Sequence, residues 1–386
     1  MSELLNGRWA ETKEALLEGL QGTKKSVMGV TLENTRKYLV ESPTAGATSA
    51  GNVATLNRVI LPVIRRVMPT VIANELVGVQ PMTGPVGQIH TLRVRYADSA
   101  SNVVAGEEAL SPFKIAEAYS GNDSSPAKAA STATLEGQAG KRMSIQILKQ
   151  TVEAKTRKLS ARWTFEAAQD AQAQQGIDIE AEVMAALAQE ITAEIDQEIL
   201  ASLASLAGGA TETFDQNAVS GTATFVGDEH AALAVQINRV SNLIAQRTRR
   251  GAGNWAVVSP FALTILQSAT TSAFARTTEG TFEAPTNTKF VGTLNNAMKV
   301  YVNTYATDGT DVLIGYKGAS ESDAAAFYCP YIPLMSSGVV LDPSTFEPVV
   351  SFMTRYGYVE LSNTASSLGN AADYLGRVAI QNVSFK

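Results

Sequence analysis

One cysteine, Cys329, is too few for an intrachain disulfide, which fits folding in a reducing cytoplasm with a structural, buried thiol as the default. Imidazole is nearly as scarce. Only His90 and His230 are present, no CxxC or HExxH spacing occurs, and no paired carboxylates stand apart from helix faces. A metal centre and a histidine-based nucleophilic triad therefore have no residues to build on, and no cofactor and no catalytic residue is assigned. His90, in a strand-like stretch, reads as a hydrogen-bonded structural residue. No run approaches the ~18 apolar residues of a membrane span. The N-terminal stretch carries Glu3, Glu11 and Glu14 without a signal-peptide apolar core, so assembly in the cytosol and no membrane partner are expected.

What is present is an ordinary globular composition: 45% apolar and 18% charged residues over 386 positions, enough for more than one packed core. The formal charge of −6 gives no global field toward nucleic acid, so partners are expected to be proteins. Local basic groups, Arg65 and Arg66, Arg247, Arg249 and Arg250, and Lys155, Arg157, Lys158 and Arg162, read as salt-bridged or solvated faces. Two glycine-containing stretches look like nucleotide loops only superficially. In GQAGKRMS, two residues separate Gly137 from Gly140, and Arg142 stands where a magnesium-binding hydroxyl is required. GAGNWA from Gly251 lacks the third glycine of a dinucleotide fingerprint and precedes a strand, so it reads as a tight turn.

Along the chain, residues 3–40 read as a helical start around Trp9, Leu16, Leu17 and Leu20 followed by a second short amphipathic stretch, together an appended arm. Ser42 to Asn57, rich in small residues, reads as a linker. Val59 to Val79 reads as a packed helix and an extended segment, and Ile89 to Tyr96 as a strand. Ser99 to Gln138 has few large apolar side chains for a private core and reads as a long reaching loop. Met143 to Thr164 reads as a strand leading into a helix near Phe165 to Gln174. The strongest helix runs from Asp178, a capping carboxylate, through Met184, Leu187, Ile191, Ile195 and Ile199 to a stop at Gly208 and Gly209. Another helix is expected over 229–250. Strands are expected at Trp255–Val258, from Val300, Val312 and Ala325, and at 349–361 and 377–385. The fold class is α+β.

Several blocks carry a resemblance. VIRRVMPTVIANELVGVQPM from Val63, followed by TGPVGQIHTLRVRYA, resembles the major capsid proteins of T-even-like myophages. So do VEAKTRKLSARWTFEAAQDAQAQQGIDIEAEV from Val152, RRGAGNWAVVSP from Arg249, VGTLNNAMKVYVNTYATDGTDVLIGYKG from Val291, AAFYCPYIPL from Ala325 and STFEPVVSFMTRYGY from Ser344. The blocks are collinear from about Ala54 to Tyr358. The resemblance implies a Hong Kong 97-type capsid fold with an N-arm, an extended loop, a peripheral domain with a spine helix, and an axial domain. The expected boundaries are 1–57 for the N-terminal segment and arm, 58–98 for the first part of the peripheral domain, and 99–150 for the extended loop. They continue with 151–235 for the peripheral domain with its spine, 236–335 for the axial domain and 336–386 for the return to the peripheral domain.

The implied function is self-assembly into hexamers and pentamers of an icosahedral head, a virion component with no enzymatic activity. The implied partners are copies of itself, portal, scaffold, decoration or vertex proteins, and weakly contacted packaged double-stranded DNA. Larger relatives carry an insertion domain in the extended loop; only about forty residues separate Ser99 from Arg142, so the insertion is expected to be absent. The resemblance also implies removal of an N-terminal segment by a protease cutting after Glu in a Leu/Ile-x-Glu context. Leu39, Glu41 and Ser42 fit as the processing site, with retention of the arm left open. A vertex or encapsulin-like shell protein is the nearest alternative. A cytosolic enzyme and a nucleic-acid-binding protein are the alternatives of other classes.

Overall fold

The computed structural model describes residues 9, 13, 14, 17, 22–41 and 72–383, with gaps at 101–102, 108, 110–118, 122–128, 138, 176–177, 220–225, 249, 270–273, 277–288, 296, 308, 310, 320–322 and 362–370. The linker expected over 42–57 and most of the helix expected from Val59 lie outside the described residues, as do Arg65, Arg66 and Arg249.

The longer helices are α1 (Gly22–Glu41), α2 (Phe165–Gln175), α3 (Ile179–Ala207), α4 (Val226–Thr248) and α5 (Pro260–Ser268). The strands run β1 (Gly78–Val79), β2 (Val86–Tyr96), β3 (Met143–Glu153), β4 (Lys155–Arg162), β5 (Glu212–Asp215), β6 (Trp255–Val258) and β7 (Phe274–Arg276). They continue as β8 (Lys289–Leu294), β9 (Met298–Val302), β10 (Val312–Gly315), β11 (Ala326–Ser336), β12 (Val340–Leu341), β13 (Pro348–Glu360) and β14 (Leu375–Gln381). Helices beside largely antiparallel sheets make this an α+β protein.

The chain folds into two units. The first comprises Met1–Gly87, Val152–Ala201 and Phe327–Val359. Its sheet runs β1-β11-β13-β12, with β4 paired antiparallel to β13 from Val349↔Arg162 to Tyr356↔Lys155. Along β13 burial alternates: Val350, Phe352, Thr354 and Tyr356 face inward while Val349, Ser351, Met353 and Arg355 are half-exposed. The inward face is covered by α3, whose Ile191, Ile195 and Ile199 are fully buried.

That helix forms where its pattern predicts. Asp178 Oδ1 accepts the Glu180 backbone N–H at 3.1 Å, Glu180 and Glu182 lie in the first turn, and Gly208 at φ +72° ends it. Its 29 residues span ~43 Å. The N-terminal region differs from the expected appended arm. α1 is one continuous helix of 20 residues, buries Val27, Met28, Thr31 and Leu32, and is pinned by Asn34, whose Nδ2 donates to Met82 O at 2.6 Å and Tyr331 O at 2.9 Å. The apolar spacing at i, i+1, i+4 and i+5 gives it a stripe to bury.

The second unit comprises Gln88–Thr151, Ser202–Ala326 and Glu360–Lys386. Its seven-stranded sheet has the order β5-β14-β10-β6-β9-β8-β7. The core joins Leu233, Ile237, Val240 and Ile244 of α4 to Val258, Val300, Val312, Ile314 and Val378 of the sheet. The RGAGN stretch, expected as a tight turn, has no turn assigned over residues 251–254, and its Gly251 is constrained by a close approach: a Cβ there would stand 2.6 Å from the Tyr316 ring. At Gly315 the constraint is stronger, because the Trp255 indole on the paired strand crosses directly over it, and a Cβ would lie 2.1 Å from Cζ2. Gly315→Ala is therefore expected to destabilise the chain by about 3 kcal/mol in chemical denaturation, since neither the central strand nor the indole can retreat.

Candidate assembly interface

No group of three or more His, Cys, Asp or Glu among the described residues could hold a metal ion, and no described helix is long and apolar enough to cross a membrane. Cys329 is buried, and burial pushes its thiol up to about 11, which leaves it unreactive. His230 is buried with Nδ1 2.5 Å from Ser268 Oγ, and burial lowers its pKa against the opposing Glu229 carboxylate. His90 departs from expectation: it is exposed on β2 and its imidazole makes no hydrogen bond to a described residue.

Lys141 and Arg142 form no phosphate-loop geometry; they close the β2–β3 ribbon. The Arg142 backbone N–H donates to Asp98 Oδ2 at 2.7 Å and its guanidinium to Oδ1 at 3.3 Å, holding the Asp98 carboxyl below its usual range. Lys141 Nζ lies 5.9 Å from the Tyr119 ring centre. Tyr119 also donates its hydroxyl to Arg142 O and packs against Tyr96 with ring centres 4.6 Å apart. With Val103 and Ala109 these rings form a small buried cluster, in which Tyr119 of the stretch packs on Tyr96 of β2.

Beyond this cluster the start of β3 presents apolar side chains to solvent. On β3, Met143, Ile145 and Ile147 share one face and are 54%, 68% and 66% exposed. Ser144 and Gln146 on the other face are exposed too. Two large isoleucines exposed on a two-stranded ribbon form an apolar surface that no described residue buries. A second exposed apolar group sits at the β12–β13 turn, where Val340, Leu341 and Phe346 are 57%, 44% and 71% exposed. Phe346 takes φ +61°, a left-handed conformation that costs a bulky residue free energy. Because its ring buries little, Phe346→Gly is expected to raise the stability of the subunit by about 1 kcal/mol, readable as a higher denaturation midpoint.

The first unit also carries a half-buried charge network. Arg157 reaches Glu194 at 2.6 Å, Glu198 at 2.5 Å and the Tyr356 hydroxyl at 2.6 Å, so two strands and a helix share one guanidinium. Burial alone would lower the Arg157 pKa, but the hydrogen bonds to Glu198 and Tyr356 raise it, and Glu198 is correspondingly lowered despite its burial. Deeper on α3, Asp196 is 1% exposed, accepts the Ile72 backbone N–H at 2.9 Å, and has no hydrogen-bond partner for Oδ2 among the described residues. Burial pushes its carboxyl up to about 7. Sequence reasoning missed it, although Thr192, Asp196, Ile199 and Leu203 share the buried helical spacing.

Of the processing-site residues, Leu39 and Glu41 fall in the last turn of α1, and Ser42 lies outside the described residues.

The model of the family described as Major capsid protein Gp23 matches residues 53–137 and 121–380. The chain is 30% identical to the major capsid protein of Vibrio phage KVP40, over 85% of this chain and 81% of that one. It is 29% identical to the major capsid protein of Enterobacteria phage T4, over 83% and 78% of the two chains, and 29% identical to that of Serratia phage KSP90, over 92% and 90%. Among solved structures, the capsid of Myoviridae phage XM1 matches at 12% identity and a TM-score of 0.45, over 81% of this chain and 92% of that chain. A chain from Microbacterium phage Oxtober96 matches at 13% and 0.48, over 80% and 90%. With a family model covering most of its length and a 30%-identical relative aligned over 85% of it, this chain belongs to the major capsid protein Gp23 family.

Proposed function

We propose that copies of this chain assemble into hexamers and pentamers of an icosahedral head shell that encloses a phage genome. The observation that carries the reading is the exposed apolar stripe of Met143, Ile145 and Ile147 on a two-stranded ribbon. Burying a large aliphatic side chain contributes about 1.5–3 kcal/mol, so the stripe is a liability in a free subunit and a source of association energy in a shell. A subunit that closes a shell meets neighbours through heterologous patches, and the weak contacts add through multivalency.

The fold is read as Hong Kong 97-type, with 1–57 as N-terminal segment and arm, 99–150 as extended loop, 151–235 and 336–386 with 58–98 as peripheral domain, and 236–335 as axial domain. The loop is read as lacking the insertion domain of larger relatives; the family match breaking into two pieces that meet near residues 121–137 supports this. Portal, scaffold and decoration or vertex proteins, and packaged double-stranded DNA touched weakly, are the further partners, with assembly in the host cytoplasm. Counting this chain per purified particle by quantitative mass spectrometry tests the reading: hundreds of copies are expected, whereas a handful at the vertices would overturn it.

Cleavage between Glu41 and Ser42 by an assembly protease is the processing reading. A helical last turn is a poor protease substrate, since cleavage needs an extended backbone, so α1 must fray at its C-terminal end before it is cut. Intact-mass measurement of the chain from particles is expected to give a species beginning at Ser42; a full-length mass would mean the arm is kept.

A further inference from the structure

The open face of the β4–β13 sheet in the first unit differs in chemistry from the apolar ribbon. Thr156, Lys158, Ser160 and Arg162 of β4 lie on it and pair across with Arg355, Met353, Ser351 and Val349 of β13. That set contains three cations, three hydroxyls and no carboxylate. The opposite face is the one α3 covers, where Arg157 reaches Glu194 and Glu198. Of the three cations on the open face, Arg162 stands 3.9 Å from Glu347, while Lys158 and Arg355 form no ion pair with a described residue.

Lys158 and Arg355 line one shallow depression together with Thr156 and Met353. In the antiparallel register Lys158 stands opposite Met353 and Arg355 opposite Thr156, so the two cations are diagonal neighbours, about 7–8 Å apart along the sheet. Their repulsion costs the free subunit, and a carboxylate seated between them would remove it. Arg355 is also held in place. Its guanidinium lies 5.3 Å from the ring centre of Tyr331 on β11, which fixes the plane of the N–H fork, and its Nε is buried without a hydrogen-bond partner among the described residues. Met353 supplies a pliable apolar contact beside the charges.

We infer that this depression docks an acidic segment of a separate protein, which seats a carboxylate between Lys158 and Arg355 and an apolar side chain against Met353. The choice of a separate protein over a second copy rests on the shell reading. Permanent contacts between copies are built on buried apolar area, which the ribbon stripe offers, whereas a face of cations and hydroxyls has the polar composition of an interface that forms and dissolves. A nucleic acid fits less well, because a duplex presents rows of phosphates and is held by many cations along its length, and here two cations flank one depression.

The test uses the full-length chain, as free subunits and as closed shells, with a fluorescent peptide of glutamates and leucines as the probe. Anisotropy is expected to show binding to subunits and shells alike, weakened about tenfold by Lys158→Gln with Arg355→Gln. Lys149→Gln with Lys299→Gln, which removes the same charge from exposed positions elsewhere, is expected to leave binding unchanged. Circular dichroism checks that both variants are folded. Equal loss in the two double variants would reduce the binding to net charge and overturn the inference, as would equal binding of a peptide with glutamine in place of glutamate. A short DNA duplex that displaces the peptide and is itself weakened tenfold by the first variant would make nucleic acid the ligand. Binding to subunits but not to shells would make a neighbouring copy the occupant; either result overturns the inference and leaves the shell reading intact. Absence of shells from the unaltered chain would overturn the shell reading, while the peptide measured on subunits still decides whether the depression takes an acidic segment.

Discussion

Introducing Ile145→Asp together with Ile147→Asp is expected to abolish shell formation while leaving the subunit folded. Both side chains are about two-thirds exposed in the single chain, so charging them removes no intramolecular packing and their effect on subunit stability should stay within ~0.5 kcal/mol. In an assembled shell each change both forfeits the burial of an isoleucine and demands desolvation of a carboxylate, together several kcal/mol per subunit contact. Repeated over every contact, that loss eliminates closed particles. Circular dichroism would show an unchanged subunit, and sedimentation would show only small species. Abundant normal particles from the double variant would mean that the ribbon is not a contact surface.

Asp196→Asn is expected to stabilise the chain by on the order of 2–4 kcal/mol at pH 8 and to have almost no effect near pH 4. The carboxyl titrates at about 7 in the folded chain because it is buried, against an ordinary value of 3.8 when unfolded. Between those values the folded state holds a proton that the unfolded state has released. The stability associated with the neutral acid is therefore fully present below the unfolded pKa and is lost as pH rises through the folded one, by about 1.36 kcal/mol for each pH unit crossed between the two. Asparagine keeps an oxygen for the Ile72 N–H, now 2.9 Å from Oδ1, and carries no charge to bury. Tyr328 is fully buried, with a pKa raised by burial and then by the Tyr356 phenol and the carboxylates of Asp196 and Glu198, while Arg157, the cation of this network, is engaged by Glu194 and Glu198. The stabilities of the two proteins should coincide near pH 4, diverge progressively up to about pH 7 and stay apart above it. Parallel curves at every pH would mean that Asp196 is ionised or solvated in the folded chain.

How far such features can be read from the chain alone depends on whether their cause is local. α3 was legible because Asp178, Glu180, Glu182, the apolar spacing and Gly208 all act within the helix. The strand Glu212–Asp215 was not, because ETFD has no strong strand preference and is held by parallel pairing with Val378–Gln381, far along the chain. α5 had a readable start in Ser259, whose Oγ accepts the Ala262 N–H at 3.1 Å, and Pro260 at the first helical position, yet it is not among the helices expected from the pattern of apolar residues. The alternation MSIQI predicted a strand correctly but could not tell that Met143, Ile145 and Ile147 would face water, since exposure depends on the layer that is missing rather than on the strand itself. Asp196 shows the same limit: a carboxylate on an amphipathic helix reads as solvated until the sheet that covers it is known.

The central claim, that this chain builds a shell through surfaces left uncovered in the single subunit, is tested most directly by electron cryomicroscopy of the particles it forms, at a resolution that shows side chains. The account predicts closed shells in which Ile145 and Ile147 are buried against a neighbouring copy. Small discrete oligomers, or shells in which both side chains still face solvent, would contradict it.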